Sequence, residues 1–322
     1  MTGTLESAVA GFIEHKRAVG RKYHSEEAEL RLLVRFTCDH GADRLEDLTP
    51  ALVDDFLASR PRARPRSFNH LRGVVSGLLQ WAVTNELIQA SPLQTCRRRV
   101  GSGRVPFLFD LAQARRLLEA AGALPDNSRA RHRGQTYRTI FALCYGLGLR
   151  AGEACGLRLG DIDPDRQLLV VRGGKFGKHR LVPHGPRIGQ LVSGQAGRRR
   201  AGGAGQDPHA PLFTFNGRTP VNPCTASQVF HHLVPALGLT IPDGVSPPCL
   251  HSLRHSFAVA CLLRWYRDGA DPAGQLFRLS TYMGHVSPVS TAVYLTITDE
   301  LKDEASRRFE AFAAPAWEKA GP

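Results

Sequence analysis

The sequence predicts a mostly helical chain with one small β-sheet, an α+β protein built in two parts. Three observations predict it. Apolar residues recur at helical spacing through roughly the first 95 residues. Two short segments, 167–172 and 180–183, flank a glycine-rich turn and read as a strand pair. Between the two parts, residues 97–106 read RRRVGSGRVP, a basic, glycine-containing stretch that ends in proline, which is a linker composition. The expected organisation is a helical domain over 1–96, a linker over 97–106 and a larger mixed domain over 107–322 with a C-terminal helix.

In the first part, Leu5, Val9, Phe12 and Ile13 share one helix face. A second helix starts after Ser25 with Glu26 and Glu27 in its first turn, turns Leu30, Leu33 and Phe36 inward, and stops near Gly41. Thr49 and Pro50 form an N-cap and N1 proline, opening a helix through Val53, Phe56 and Leu57. A longer helix carries Phe68, Leu71, Val75, Leu78 and Trp81. Between these two, residues 59–67 read SRPRARPRS. The prolines exclude a helix interior. The arginines make it a basic loop that either lies along a nucleic-acid backbone or is simply solvated.

In the second part, Asp110 caps a helix reaching Ala121, and an apolar helix over 137–147 ends at Gly148, just before Arg150. Residues 194–206, a Gly/Ala/Arg run, are expected to be a mobile loop without chemistry. Helices are expected again from about Thr225, through HSLRHSFAVACLLRW, and over 274–282, 290–296 and 299–313.

Composition narrows the function. At 322 residues and 42% hydrophobic, the chain can bury a large core. A formal net charge of +13 points to a polyanion, nucleic acid first. There is no basic start followed by a long apolar run, and no stretch nears the ~20 apolar residues of a membrane span. A cytoplasmic protein with no membrane partner is expected. Seven cysteines, an odd number with no CxxC pair, argue against a disulfide framework and a zinc site and are expected to be small buried thiols.

Against this background six residues stand out: Arg150 in GLGLRAGE, Lys175 in GGKFGKHR, His251 and Arg254 in HSLRH, His285 in MGH, and Tyr294 in STAVYL. Each is unremarkable alone. Together they supply what phosphoryl transfer asks of a protein: cations for the non-bridging oxygens, a proton donor for the leaving group, and a nucleophile. The surrounding segments hold no Asp/Glu cluster at metal-ligand spacing, so side chains must provide the positive charge, and arginine's fork is best suited to it. Glu153 is placed to orient Arg150. His251 and Arg254, three residues apart, share a helix face, and His255 beside them reads as structural. Lys175 is the candidate acid, with Lys178 as its rival. Neighbouring cations are expected to favour the phenolate of Tyr294.

The ordered set resembles the tyrosine recombinase, or phage-type integrase, family. GLGLRAGE is similar to its first arginine motif, GGKFGKHRLVP to its hairpin lysine motif, HSLRHSF to its second box, and MGHVSPVSTAVY to its third box with the nucleophile. The stretch from Arg254 to His285 resembles the transposon-encoded, Xer-like subgroup. Ser252 stands where an acid is common and Met283 where leucine is usual.

The resemblance implies an all-helical SAM-like core-binding domain before a tyrosine-recombinase catalytic domain. It implies that Arg150 and Arg254 clamp the scissile phosphate and that His251 and His285 hydrogen-bond it, His251 being the favoured acceptor of the tyrosine proton. Lys175 would protonate the leaving 5′ oxygen, and Tyr294 would form a 3′-phosphotyrosyl link. No metal or other cofactor is implied. The partners would be double-stranded DNA, further copies in a tetramer on two duplexes, and partner recombinases. An inactive accessory DNA-binding protein and a topoisomerase of related chemistry are the alternatives.

Overall fold

The structure, a computed structural model, describes residues 3–101, 104–172, 179–270 and 272–284, together with Tyr294, Asp303, Ser306 and Arg307. It is mostly helical and divides into two compact units, Met1–Gly103 and Arg104–Pro322.

The first unit is built from α1 (Leu5–Ala18), α2 (His24–Asp39), α3 (Pro50–Ser59) and α4 (Pro65–Thr84). Local chemistry explains the ends. The Thr4 hydroxyl accepts from the Ser7 amide at 3.2 Å, and the Thr49 hydroxyl accepts from that of Leu52 at 3.2 Å. The inward stripes meet in one core, where Leu5, Phe12, Leu30, Leu33, Phe56, Leu71 and Leu78 are fully buried. The basic loop is shorter than its composition suggests. Ser59 closes α3 and Pro65 opens α4, because a proline at N1 needs no amide partner.

Part of the basic linker is also pinned. Asn69 on α4 exchanges two hydrogen bonds with the backbone of Arg98, each 2.8 Å. The Arg98 guanidinium lies 3.8 Å from the centre of the Phe68 ring and donates to the Arg62 carbonyl at 3.1 Å. Arg72 donates to the Thr95 carbonyl at 2.6 Å.

The second unit contains α5 (Leu111–Gly122), α6 (Arg133–Gly146), α7 (Ala151–Cys155), β1 (Ile162–Asp163), β2 (Leu168–Val171), β3 (Arg180–Pro183), α8 (Pro186–Arg199), α9 (Pro223–Leu233), α10 (Leu250–Arg267) and α11 (Pro272–Met283). Asp110 and Gln113 cap α5 reciprocally, at 2.7 and 3.1 Å. The strands form an antiparallel sheet in the order β1-β2-β3, with Leu168 opposite Pro183 and Val171 opposite Arg180. Helix α6 runs through the core. Thr136, Tyr137, Ile140, Phe141, Leu143 and Cys144 are all buried, so its apolar residues show no single stripe. Phe109 and Phe141 both pack against Phe230.

Two expectations are corrected, and one element is new. Residues 194–199 are helical, as the end of α8, and a turn over Arg200–Ala204 follows. Buried Val192 and Ala196, the Gln195 side chain on the Leu212 carbonyl at 3.1 Å, and Arg199 on that of Pro211 at 3.1 Å hold this segment despite its glycines. Of the cysteines only Cys144 and Cys155 are buried, while Cys38, Cys96 and Cys224 are exposed. Strand β1, two residues long, was too short to leave a pattern.

The helices expected over 290–296 and 299–313 lie outside the described residues, apart from the four single positions named above. Among the described residues no helix is long and apolar enough to cross a membrane.

Candidate active site

The site begins where α6 stops. Gly148 adopts φ +62°, and a Cβ there would sit 2.4 Å from the Phe257 ring, so only glycine fits the turn. The turn buries Leu149 and places Arg150 at the N-cap of α7. The Arg150 amide and guanidinium both donate to Glu153, at 3.0 and 2.7 Å. The guanidinium also reaches the Gly284 carbonyl at 3.1 Å and keeps about a third of its surface exposed, 34%.

Arg254 projects from α10 into the interior and is 1% exposed. It donates to the carbonyls of Gly148 and of Met283, the latter at 2.7 Å, and lies 3.9 Å from Glu153. A third arginine completes the cluster. Arg180, the first residue of β3, donates to the two carboxylate oxygens of Glu153 at 3.0 and 2.8 Å and to the Tyr282 carbonyl at 2.9 Å.

Burial pushes the Glu153 carboxyl up, but the bonds from Arg180 and Arg150 outweigh it and hold the group down at about 2. Burial, then repulsion from Arg150, lowers Arg254 to about 10, so it stays charged near neutrality.

His251 lies on the first turn of α10, at the surface but hemmed in by protein. Desolvation, then Arg254 and Arg150, depress its pKa and favour the neutral ring. One turn on, His255 meets His251 edge to face, with ring centres 4.6 Å apart. His255 Nδ1 lies 2.9 Å from the Tyr294 hydroxyl. Tyr294 is 4% exposed and packs with Ala258, Val259, Leu262, Leu279 and Met283. Its pKa is raised: burial dominates over the opposing pull of Arg254 and Arg150. The arginines alone therefore do not produce the phenolate that the sequence suggested.

Four of the six predicted site residues are thus described. Arg150 and Arg254 share Glu153 and the end of α11, His251 feels both arginines, and Tyr294 lies against α10. Lys175 and His285 lie outside the described residues, as does Lys178.

Sequence reasoning missed Arg180 and left His255 a structural role. The signal for Arg180 was present. It shares the inward face of β3 with buried Val182, and an arginine at such a position requires a partner. A cavity of about 780 Å³ lies nearby, walled by Tyr145, His184, Phe257, Trp265 and Tyr282. It is lined by neither Arg150, His251, Arg254 nor Tyr294, and the arginine cluster is the better candidate for phosphate chemistry.

Residues 109–300 match the model of the phage integrase family. The putative integrase/recombinase y4rB of Sinorhizobium fredii is 34% identical over 309 residues, covering 95% of this chain and 97% of that protein. The tyrosine recombinase XerC of Rhodospirillum centenum is 30% identical over 297 residues, covering 90% of this chain and 81% of its own length. Among solved structures, the Tn1549 transposon integrase in complex with transposon right end DNA aligns with a TM-score of 0.65 at 19% identity, covering 97% of this chain and 100% of that one. The fold, the arginine cluster and relatives matched over nearly the whole length agree: the chain belongs to the phage integrase family and is, by that membership, a tyrosine-type site-specific recombinase.

Proposed function

We propose that this protein cuts and rejoins double-stranded DNA at a specific site, through a 3′-phosphotyrosine on Tyr294, to move a mobile element. The observation that carries the reading is the pairing of Arg150 and Arg254 around Glu153, beside the helix against which Tyr294 packs. Two guanidiniums fixed by one carboxylate are preorganised donors for the oxygens of a phosphodiester. Arg150, the more exposed of the two, meets the phosphate first, and Arg254 adds buried charge behind it. His251 donates a further hydrogen bond. Lys175 and His285 take the roles that the family pattern gives them: protonating the leaving 5′ oxygen, and hydrogen-bonding the phosphate.

The phosphotyrosyl bond conserves the energy of the broken one, so a partner strand's 5′ hydroxyl can reseal it with no cofactor. In this reading the helical unit is the core-binding domain. Its arginine-bearing loop and pinned linker run along the backbone. Strand exchange takes place in a tetramer on two duplexes, alone or with partner recombinases.

The test is covalent trapping in EDTA on nicked duplexes tiled across the DNA flanking the gene, comparing the native chain with Tyr294→Phe. A denaturing-gel adduct formed by the native chain alone is expected. Tight binding with no adduct from either protein would replace this reading with an accessory DNA-binding role.

A further inference from the structure

A buried phenol is a poor nucleophile until something takes its proton, and the cations around Tyr294 do not overcome its burial. Accepting Tyr294 as the attacking residue, we propose that His255 is the base that removes its proton. His255 Nδ1 stands 2.9 Å from the hydroxyl, within the reach a general base requires. Its ring is tilted 59° to the tyrosine ring with centres 5.5 Å apart, so the nitrogen meets the oxygen edge-on and is not stacked over the ring.

Two further features place His255 in this role. It follows Arg254 directly on α10, so one rigid helix sets both the base and a phosphate-binding cation. His251, the other histidine of the motif, lies a full turn away, where burial, then Arg254 and Arg150, disfavour its taking up a proton.

The step balances within the site. With its own proton on Nε2, His255 accepts at Nδ1. The O–H bond of Tyr294 breaks, an N–H bond forms, and the electron pair stays on oxygen. That oxygen bonds phosphorus as the 5′ oxygen leaves with a proton from another donor. On resealing, the imidazolium returns its proton to the departing phenolate, so the cycle consumes nothing.

The experiment measures single-turnover adduct formation on a nicked duplex. His255→Asn keeps a hydrogen-bonding amide near the position of Nδ1 but no base, and His255→Gln is the second variant if the first folds poorly. DNA binding and melting temperature are followed in parallel. The expected loss is about 100-fold in cleavage, with binding retained. The deciding arm replaces Tyr294 by a fluorotyrosine, whose more acidic phenol needs less help. It should restore about tenfold or more of the rate in the His255 variant while changing the native rate little. Native-like cleavage by both His255 variants, or a loss that fluorotyrosine leaves untouched, overturns the assignment. No adduct from the native chain refutes the nucleophile itself, and with it this proposal.

Discussion

Arg180 and Glu153 form a fork-to-fork pair, two parallel bonds of 3.0 and 2.8 Å between residues on different elements of the second unit. The same carboxylate holds Arg150, so a strand residue fixes a loop residue through a shared anion. Lysine cannot reproduce two parallel donors. Arg180→Lys should lower stability by about 2 kcal/mol. It should also slow adduct formation by up to about 100-fold as Arg150 loosens. Chemical denaturation and single-turnover cleavage check the two effects. Cleavage unchanged by the substitution would detach Arg180 from the site.

Glu153 should make stability depend on acid. Its folded pKa, about 2, lies below the ordinary carboxylate value of 4.5. The stabilisation is therefore fully present above about pH 4.5 and is lost as pH falls toward 2. The linked free energy is on the order of 3 kcal/mol. Glu153→Gln should be the less stable protein at pH 7, and its deficit against the native chain should shrink between pH 4.5 and 2. A deficit constant across that window would contradict the ion-pair origin.

Arg150 and Arg254, the proposed phosphate clamp, should fail differently. Arg150 is partly exposed, so Arg150→Ala should reduce cleavage roughly 100- to 1000-fold with near-native melting. Arg254 is buried and holds the Gly148 and Met283 carbonyls, so Arg254→Ala should add a stability loss of about 3 kcal/mol. Melting curves beside trapping assays separate them. Equal melting temperatures for the two variants would mean that Arg254 has no structural share.

Gly148→Ala tests the turn. The left-handed backbone and the 2.4 Å approach of a Cβ to Phe257 both oppose a side chain. The expected cost is about 1–3 kcal/mol. Displacement of the carbonyl that Arg254 binds should lower cleavage as well, and urea unfolding with the cleavage assay reads both.

What was legible followed from local chemistry. Thr49 with Pro50, Asp110 as a cap, and the stripe from Leu5 to Ile13 each announce an element within a few residues. Arg150 and Arg254 were legible because ordered motifs surround them. The remainder depends on distant partners. Glu153 and Arg180 are 27 residues apart, and His255 and Tyr294 are 39 apart. Neither pairing has a periodic trace. Helix α8 was misread because its glycines lower propensity locally, while Gln195 and Arg199 bond carbonyls beyond it. The charge around Tyr294 was anticipated. Its burial, which decides the direction of its pKa, comes from packing on α10 and α11.

The last two carbonyls of α11 and that of the glycine after it receive all three arginines: Tyr282 takes Arg180, Met283 takes Arg254, and Gly284 takes Arg150. Carbonyl oxygens orient a guanidinium without neutralising it. Glu153 is the single carboxylate that these arginines bond among the described residues, so the cluster holds a surplus of two positive charges. A phosphodiester of the proposed DNA substrate brings one negative charge against this surplus. In the proposed function the cluster thus carries more positive charge than the strand it receives, and the excess is fixed where charge gathers on the reacting phosphate.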